Sequence, residues 1–154
     1  MAILQIVFFL LFLVCLSTVA YFLFFSIAGH FYKTKEFQHH DQFKKIAVFM
    51  PAYKEDEVIL HTAKQALLQT YPSHRYDVYV IADSLQEETL NELKKLPLKT
   101  VVVSFDVSTK AKALNEAFKQ INAAYDLAVI LDADNVMMPD FLDKVNRASV
   151  SGCY

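Results

Sequence analysis

From Ile3 to Ala28 the chain has no charged residue, and Gln5 is the only strongly polar side chain in the run. About twenty apolar residues in a helix are enough to span the bilayer core. This run is longer, so the sequence predicts a single transmembrane helix over 1–31 and a lipid bilayer as a partner. A cleaved signal peptide is the rival reading, since Ser26-Ile27-Ala28 has the small-x-small look of a cleavage site. Against it, the apolar stretch is too long and no basic residue precedes it. Lys33, Lys35, Lys44 and Lys45 all lie after the run. The positive-inside rule therefore puts the N-terminus outside and the rest of the chain in the cytoplasm. Phe31 and Tyr32 suit the membrane interface, and residues 32–44, with His39 and His40, read as a solvated linker.

The chain has 154 residues, which leaves 45–154 for one modest domain. Within it, apolar runs alternate with segments of helical periodicity. Ile46–Met50, Tyr76–Ala82, Thr100–Phe105 and Leu127–Leu131 read as strands, with Pro51 stopping the first for want of an N–H. Val58, Ile59, Ala63, Ala66 and Leu67 recur at helical spacing, as do Leu90 with Leu93, and Ala113, Leu114, Ala117, Phe118 and Ile121. Pro139 stands where a last helix can begin, its apolar side made by Phe141, Leu142, Val145 and Ala148. Ser84-Leu85-Gln86-Glu87 has the form of a capping box. Repeated βα units imply an open, mostly parallel sheet with right-handed crossovers, an α/β/α sandwich whose fourth strand is buried.

That architecture tells where chemistry belongs. In an open parallel sheet, ligands bind outside the carboxyl ends of the strands. Four polar stretches lie there: Pro51-Ala52-Tyr53-Lys54-Glu55-Asp56, Ala82-Asp83-Ser84, Asp106-Val107-Ser108-Thr109-Lys110 and Asp132-Ala133-Asp134-Asn135. Two carboxylates one residue apart repel each other, and a hard divalent cation that also holds phosphate oxygens relieves that repulsion. Acids for a metal, lysines for phosphate and helix N-termini aimed at anions together suggest a nucleotide-diphosphate site. Each member also has a plain structural role open to it. Asp132 and Asp134 could end a strand and cap the next helix, Glu55 and Asp56 could answer a helix dipole, and Ser84 could be an N-cap. Tyr53 could pack on a loop, while Lys110, Lys112 and Asn115 could lie on solvated helix faces.

Other classes fit worse. With glycine only at Gly29 and Gly152, the chain can form neither a Gly-x-Gly-x-x-Gly turn nor a phosphate-cradling P-loop. Net charge is −2, so no basic field recommends nucleic acid. Cys15 lies in the apolar run and Cys153 is next to last, a pattern of neither disulfide nor zinc site.

The four stretches, in this order, resemble the motifs of glycosyltransferase family 2, of GT-A fold. Pro51-Ala52-Tyr53-Lys54-Glu55 is similar to its Pro-Ala-Tyr-Asn-Glu signature and Ala82-Asp83-Ser84 to its second-strand Asp. Lys110-Ala111-Lys112-Ala113-Leu114-Asn115 is similar to its Lys-Ala-Gly-Ala-Leu-Asn element, with Lys112 in place of the glycine, and Leu131-Asp132-Ala133-Asp134 to its Asp-x-Asp. The resemblance implies that Pro51, Ala52, Tyr53 and Glu55 line the nucleoside pocket, that Asp83 meets the base, typically uracil, and that Lys110 faces the diphosphate. It implies that Asp132 approaches ribose and metal and that Asp134 is the firmer ligand of Mn²⁺ or Mg²⁺. It implies a nucleotide-sugar donor, UDP-linked, and a glycan or lipid acceptor, as in membrane-bound members.

The family's acceptor-side acid and Gln-x-x-Arg-Trp element lie further downstream, and this chain has no Trp. The expectation is a donor-binding N-terminal fragment of a longer enzyme, inactive alone, whose catalytic base lies outside this chain. A non-catalytic, membrane-anchored nucleotide-sugar-binding or assembly module is the alternative.

Overall fold

The computed structural model describes residues 1–31 and 42–150 of the chain. Tyr32, Lys33, Lys35, His39, His40 and Cys153 lie outside the described residues. The chain divides into two units, Met1–Glu36 and Phe37–Tyr154.

The first unit is a helix, α1 (Ala2–Phe31), with every side chain exposed. At 1.5 Å per residue it runs about 45 Å, longer than the roughly 30 Å hydrocarbon core of a bilayer. It is long and apolar enough to cross a membrane. Two of its hydroxyls are satisfied within the helix. Ser17 Oγ and Thr18 Oγ1 both donate to the Val14 carbonyl, at 2.8 and 2.9 Å, so the preceding turn satisfies them.

The second unit is an open sheet of four parallel strands: β1 (Ile46–Tyr53), β2 (Tyr76–Asp83), β3 (Lys99–Val103) and β4 (Leu127–Ile130), in the order β3-β2-β1-β4. The helices α2 (Asp56–Ala66), α3 (Glu87–Leu93), α4 (Lys110–Gln120) and α5 (Phe141–Val150) alternate with them. Side chains alternate across a strand, and β1 divides accordingly. Ile46, Val48, Met50 and Ala52 face Ile59, Ala63 and Ala66 of α2, Leu93 of α3 and Leu142 of α5. Ala47 and Phe49 face Ala113 and Ala117 of α4. The three-layer arrangement is the one the alternating pattern predicts.

Four details depart from the sequence reading. β1 does not stop at Pro51; it continues through Pro51, opposite Ile81, to Tyr53, opposite Asp83. Lys54 N–H donates to the Asp83 carbonyl at 3.1 Å, so residues in step with it bond to β2 and Pro51 turns toward the β4 side. There β4 has already ended, and the missing N–H breaks no ladder bond. Second, β4 is not buried. It forms an edge, and its Ala128 and Ile130 are exposed. Third, Ser84 caps no helix: α3 begins at Glu87, with Gln86 at the cap position and no side-chain cap bond. Ser84 instead takes a left-handed backbone, φ 57°, as does Lys54, φ 56°. Finally, residues 42–44, expected in the linker, are held by the domain. The buried Asn146 of α5 accepts from Lys44 N–H at 3.1 Å and donates to the Gln42 carbonyl at 2.9 Å, while Phe43 packs edge-on against Tyr71 at 5.4 Å.

Two predictions come from these features. Tyr71 is buried and donates to the Lys44 carbonyl at 2.7 Å. Burial pushes its phenol from the ordinary 10.0 up to about 12. The folded state thus holds the proton more tightly than the unfolded one, so this stabilisation is complete below pH 10 and disappears as pH rises toward 12. Urea midpoints measured across that range should fall, and Tyr71→Phe should flatten the fall; an unchanged slope would refute the assignment. Lys54 is the second case. A left-handed conformation costs an ordinary L residue about 1–2 kcal/mol, and Asn tolerates it better. Lys54→Asn should therefore raise the unfolding free energy by about 0.5–1 kcal/mol, read as a higher urea midpoint at constant slope.

Candidate active site at the carboxyl edge of the sheet

Parallel strands bring all their carboxyl ends to one edge. In the order β3-β2-β1-β4 the chain first winds outward from β1 to β3 and then crosses back to β4, so a crevice opens between β1 and β4. A cleft of about 290 Å³ lies at this edge. Pro51, Ala52, Tyr53 and Glu55 line it from the end of β1, Asp83 from β2, Ser108, Thr109 and Lys110 from the loop and helix after β3, and Asp132 and Asp134 from the turn after β4. The eight residues to which the resemblance gives site roles, Pro51, Ala52, Tyr53, Glu55, Asp83, Lys110, Asp132 and Asp134, are all in that lining, whereas Asp56, Ser84, Lys112 and Asn115 are not. Ser108 and Thr109 join it as well, although in the sequence they stand out only as neighbours of Lys110.

Asp83 is the floor. It is buried, at 1% exposure, and its carboxylate accepts from Ser84 Oγ at 3.0 Å and from Ser108 Oγ. A buried carboxylate needs such donors. Ser84 and Ser108 thus tie the ends of β2 and of the β3–α4 loop to one acid. Glu55 precedes α2 without capping it by its side chain, which leaves its carboxylate for the cleft. Asp56 has a different use: its Oδ1 accepts from Gln86 N–H at 2.8 Å, joining the loops after β1 and β2. Tyr53 is half exposed at the rim, with Lys54 Nζ 5.1 Å from its ring centre.

Lys110 opens α4 directly after the N-cap Thr109, whose hydroxyl accepts from Lys112 N–H at 3.2 Å. A cation at a helix N-terminus opposes the helix dipole. Here it is balanced by an ion pair with Asp132 Oδ1 across the cleft. Both partners are about half exposed, at 48% and 56%, and a pair so open to water adds little to stability. The pair can therefore open for a better partner on either side. Lys112 turns away, its Nζ donating to the Val107 carbonyl at 2.9 Å, and Asn115 is exposed.

The acids themselves sit on a turn. Leu131 N–H donates to the Phe49 carbonyl at 2.9 Å, just past the end of the β1–β4 pairing, and Asn135 N–H donates to the Asp132 carbonyl at 3.0 Å. Asp132 and Asp134 are therefore the first and third residues of a β-turn, and both are exposed. They do not cap a helix, since α5 starts only at Phe141. Among the described residues, no three His, Cys, Asp or Glu side chains group as a metal cage. Two exposed carboxylates beside a cleft suit Mg²⁺ or Mn²⁺ in another way, because such ions commonly bind through one or two carboxylates plus the phosphates of a ligand.

Comparisons with known proteins agree with this geometry. Residues 44–151 match the family described as Glycosyltransferase like family 2. Glucans biosynthesis glucosyltransferase H of Rhodopseudomonas palustris (strain TIE-1) is 30% identical over 117 residues, covering 68% of this chain and 16% of that protein. Hyaluronan synthase of Streptococcus pyogenes is 27% identical over 113 residues, covering 68% and 26%. This chain thus spans about a quarter or less of the length of these relatives. In fold it is similar to the mannosyltransferase PcManGT from Pyrobaculum calidifontis, solved with GDP-Man and Mn²⁺, at a TM-score of 0.59 and 23% identity over 71% of this chain and 33% of that one. It is also similar to S. aureus TarS 1–349 solved with UDP-GlcNAc, at a TM-score of 0.55 and 23% identity over 66% and 30%. Since the matched stretch runs from the start of β1 through α5 and so includes every loop that lines the cleft, the chain belongs to Glycosyltransferase like family 2.

Proposed function

We propose that this chain carries the donor site of a glycosyltransferase that moves a sugar from a UDP-linked donor to a polysaccharide or lipid-type acceptor. In this reading α1 anchors it in a membrane and the α/β unit lies on the cytoplasmic side. The observation that carries the proposal is the cleft itself, where loops from all four strands set acids and a lysine around one opening.

Each residue has a task in this reading. Pro51, Ala52, Tyr53 and Glu55 form the nucleoside wall. Asp83, a pure acceptor when ionised, takes a hydrogen bond from an N–H of the base; uracil offers one at N3, where cytosine has a lone pair. Lys110 leaves Asp132 to face the diphosphate. Asp132 and Asp134 would hold a divalent cation, Mn²⁺ or Mg²⁺, which when bound supplies Lewis-acid stabilisation of a nucleoside-diphosphate leaving group. The base for an acceptor hydroxyl is assigned to no residue of this chain.

The support for a metal that arrives with its nucleotide is the donor set: two acids, with no third protein ligand grouped beside them among the described residues. The full chain in detergent, titrated by calorimetry, should bind UDP more tightly with Mn²⁺ than with EDTA, by about tenfold or more, each tenfold being about 1.4 kcal/mol. Asp134→Asn should erase the difference. Equal UDP affinity in both buffers, or none in either, would defeat the metal assignment.

A further inference from the structure

The acid turn is not free to place its carboxylates; α2 holds it from behind. Thr62 of α2 is buried, at 2% exposure, and its Oγ1 lies 2.7 Å from the carbonyl of Ala133, the residue between the two acids. Ala133 is buried as well, at 5%. A threonine in mid-helix ordinarily donates back to its own preceding turn. Those alternatives exist here, the Val58 carbonyl at 3.1 Å and the Ile59 carbonyl at 3.2 Å. A hydroxyl has one proton to give. The Ala133 contact is the shortest of the three, and the Val58 and Ile59 carbonyls already have helical N–H partners, so the proton goes across to the turn.

The brace continues beyond Thr62. Gln69 Nε2 donates to the Met138 carbonyl at 3.0 Å, and Gln69 Oε1 accepts from Leu142 N–H at 3.2 Å. Thr70 N–H and Oγ1 both donate to the Pro139 carbonyl, at 2.8 and 3.1 Å. The segment from Ala133 to Leu142 is thus tied along its length to α2 and the residues just after it, and Thr62 is the tie at the acids.

From this we infer that Thr62 is a positioning residue for the metal acids: its hydroxyl, through the Ala133 carbonyl, holds the turn in the shape that presents Asp132 and Asp134 together. The inference rests on the reading of those acids as the cation site. Preorganised ligands lose less on binding, and removing an outer partner of a metal site typically costs about 10–100-fold in metal affinity.

The test uses the full chain in detergent with UDP present. Thr62→Val keeps the shape and removes the proton, so the apparent Mn²⁺ affinity should fall by about 10–100-fold. UDP affinity in EDTA should stay unchanged, and Thr62→Ser, which restores the hydroxyl, should recover most of the loss. Thermal melts verify that each variant folds, and if Thr62→Val does not, Thr62→Ala takes its place in the same comparison. Wild-type Mn²⁺ affinity in Thr62→Val would overturn the inference, as would failure of Thr62→Ser to rescue, or a loss of UDP affinity equal in Mn²⁺ and EDTA. If the unsubstituted chain shows no Mn²⁺-dependent UDP binding, the cation-site reading falls first and this inference with it.

Discussion

The register of β1 with its two neighbours fixes where every loop of the unit ends up. β1 pairs with β2 along all eight of its residues and with β4 over the first four. Because both pairings are parallel, the ends of β1, β2 and β4 come to the same edge, and the loops that leave them have to meet there. The uneven pairing matters as much. β4 ends at Ile130, opposite Phe49, while β1 runs on to Tyr53 beside Asp83. The four residues of overhang open the space that Pro51, Tyr53 and the acid turn share.

Order in this cleft comes from short polar ties between loops rather than from strong ion pairs. Asp83 gathers Ser84 and Ser108, Asp56 takes the Gln86 amide, and Thr62 takes the Ala133 carbonyl. Bonds of this kind are worth only about 0.5–1.5 kcal/mol each, yet losing a partner at a buried atom costs more than making the bond gained. They therefore define shape more than they add stability. The exposed Lys110–Asp132 pair is the opposite case: it lies in the opening, contributes little, and leaves both charges available to a ligand.

Much of this was legible in the chain's own pattern. Strand and helix alternation depends on the local period of apolar residues, and the order and type of all four strands and the helices between them follow that period, although β1 runs on to Tyr53, β3 spans Lys99–Val103 rather than Thr100–Phe105, and α3 opens at Glu87. The site residues could be named for the same reason, since a parallel sheet makes every strand end a candidate position. What local pattern misread was neighbourhood. Pro51 looks like a stop, because a strand interior cannot spare an N–H; it is tolerated because β4 is too short to need that bond. Ser84 looks like a cap, because its spacing to Glu87 is right; a left-handed backbone and the nearby Asp83 carboxylate claim its hydroxyl instead. Asn146 and Thr62 carry no signal of their own, for each is a polar residue on a helix face whose partner is a distant carbonyl or amide.

The apolar N-terminal helix, the βα alternation, and the acids and lysine at strand ends can be read from the chain alone, because each depends on the spacing of residue types along one short stretch. Which residues hold the loops together becomes visible in the packed fold: Thr62 under Ala133, Ser108 on Asp83, Asn146 on Lys44. Separation along the chain accounts for the difference. A hydrogen bond needs its two atoms within about 3 Å, and for partners many residues apart that proximity is a product of how the layers pack.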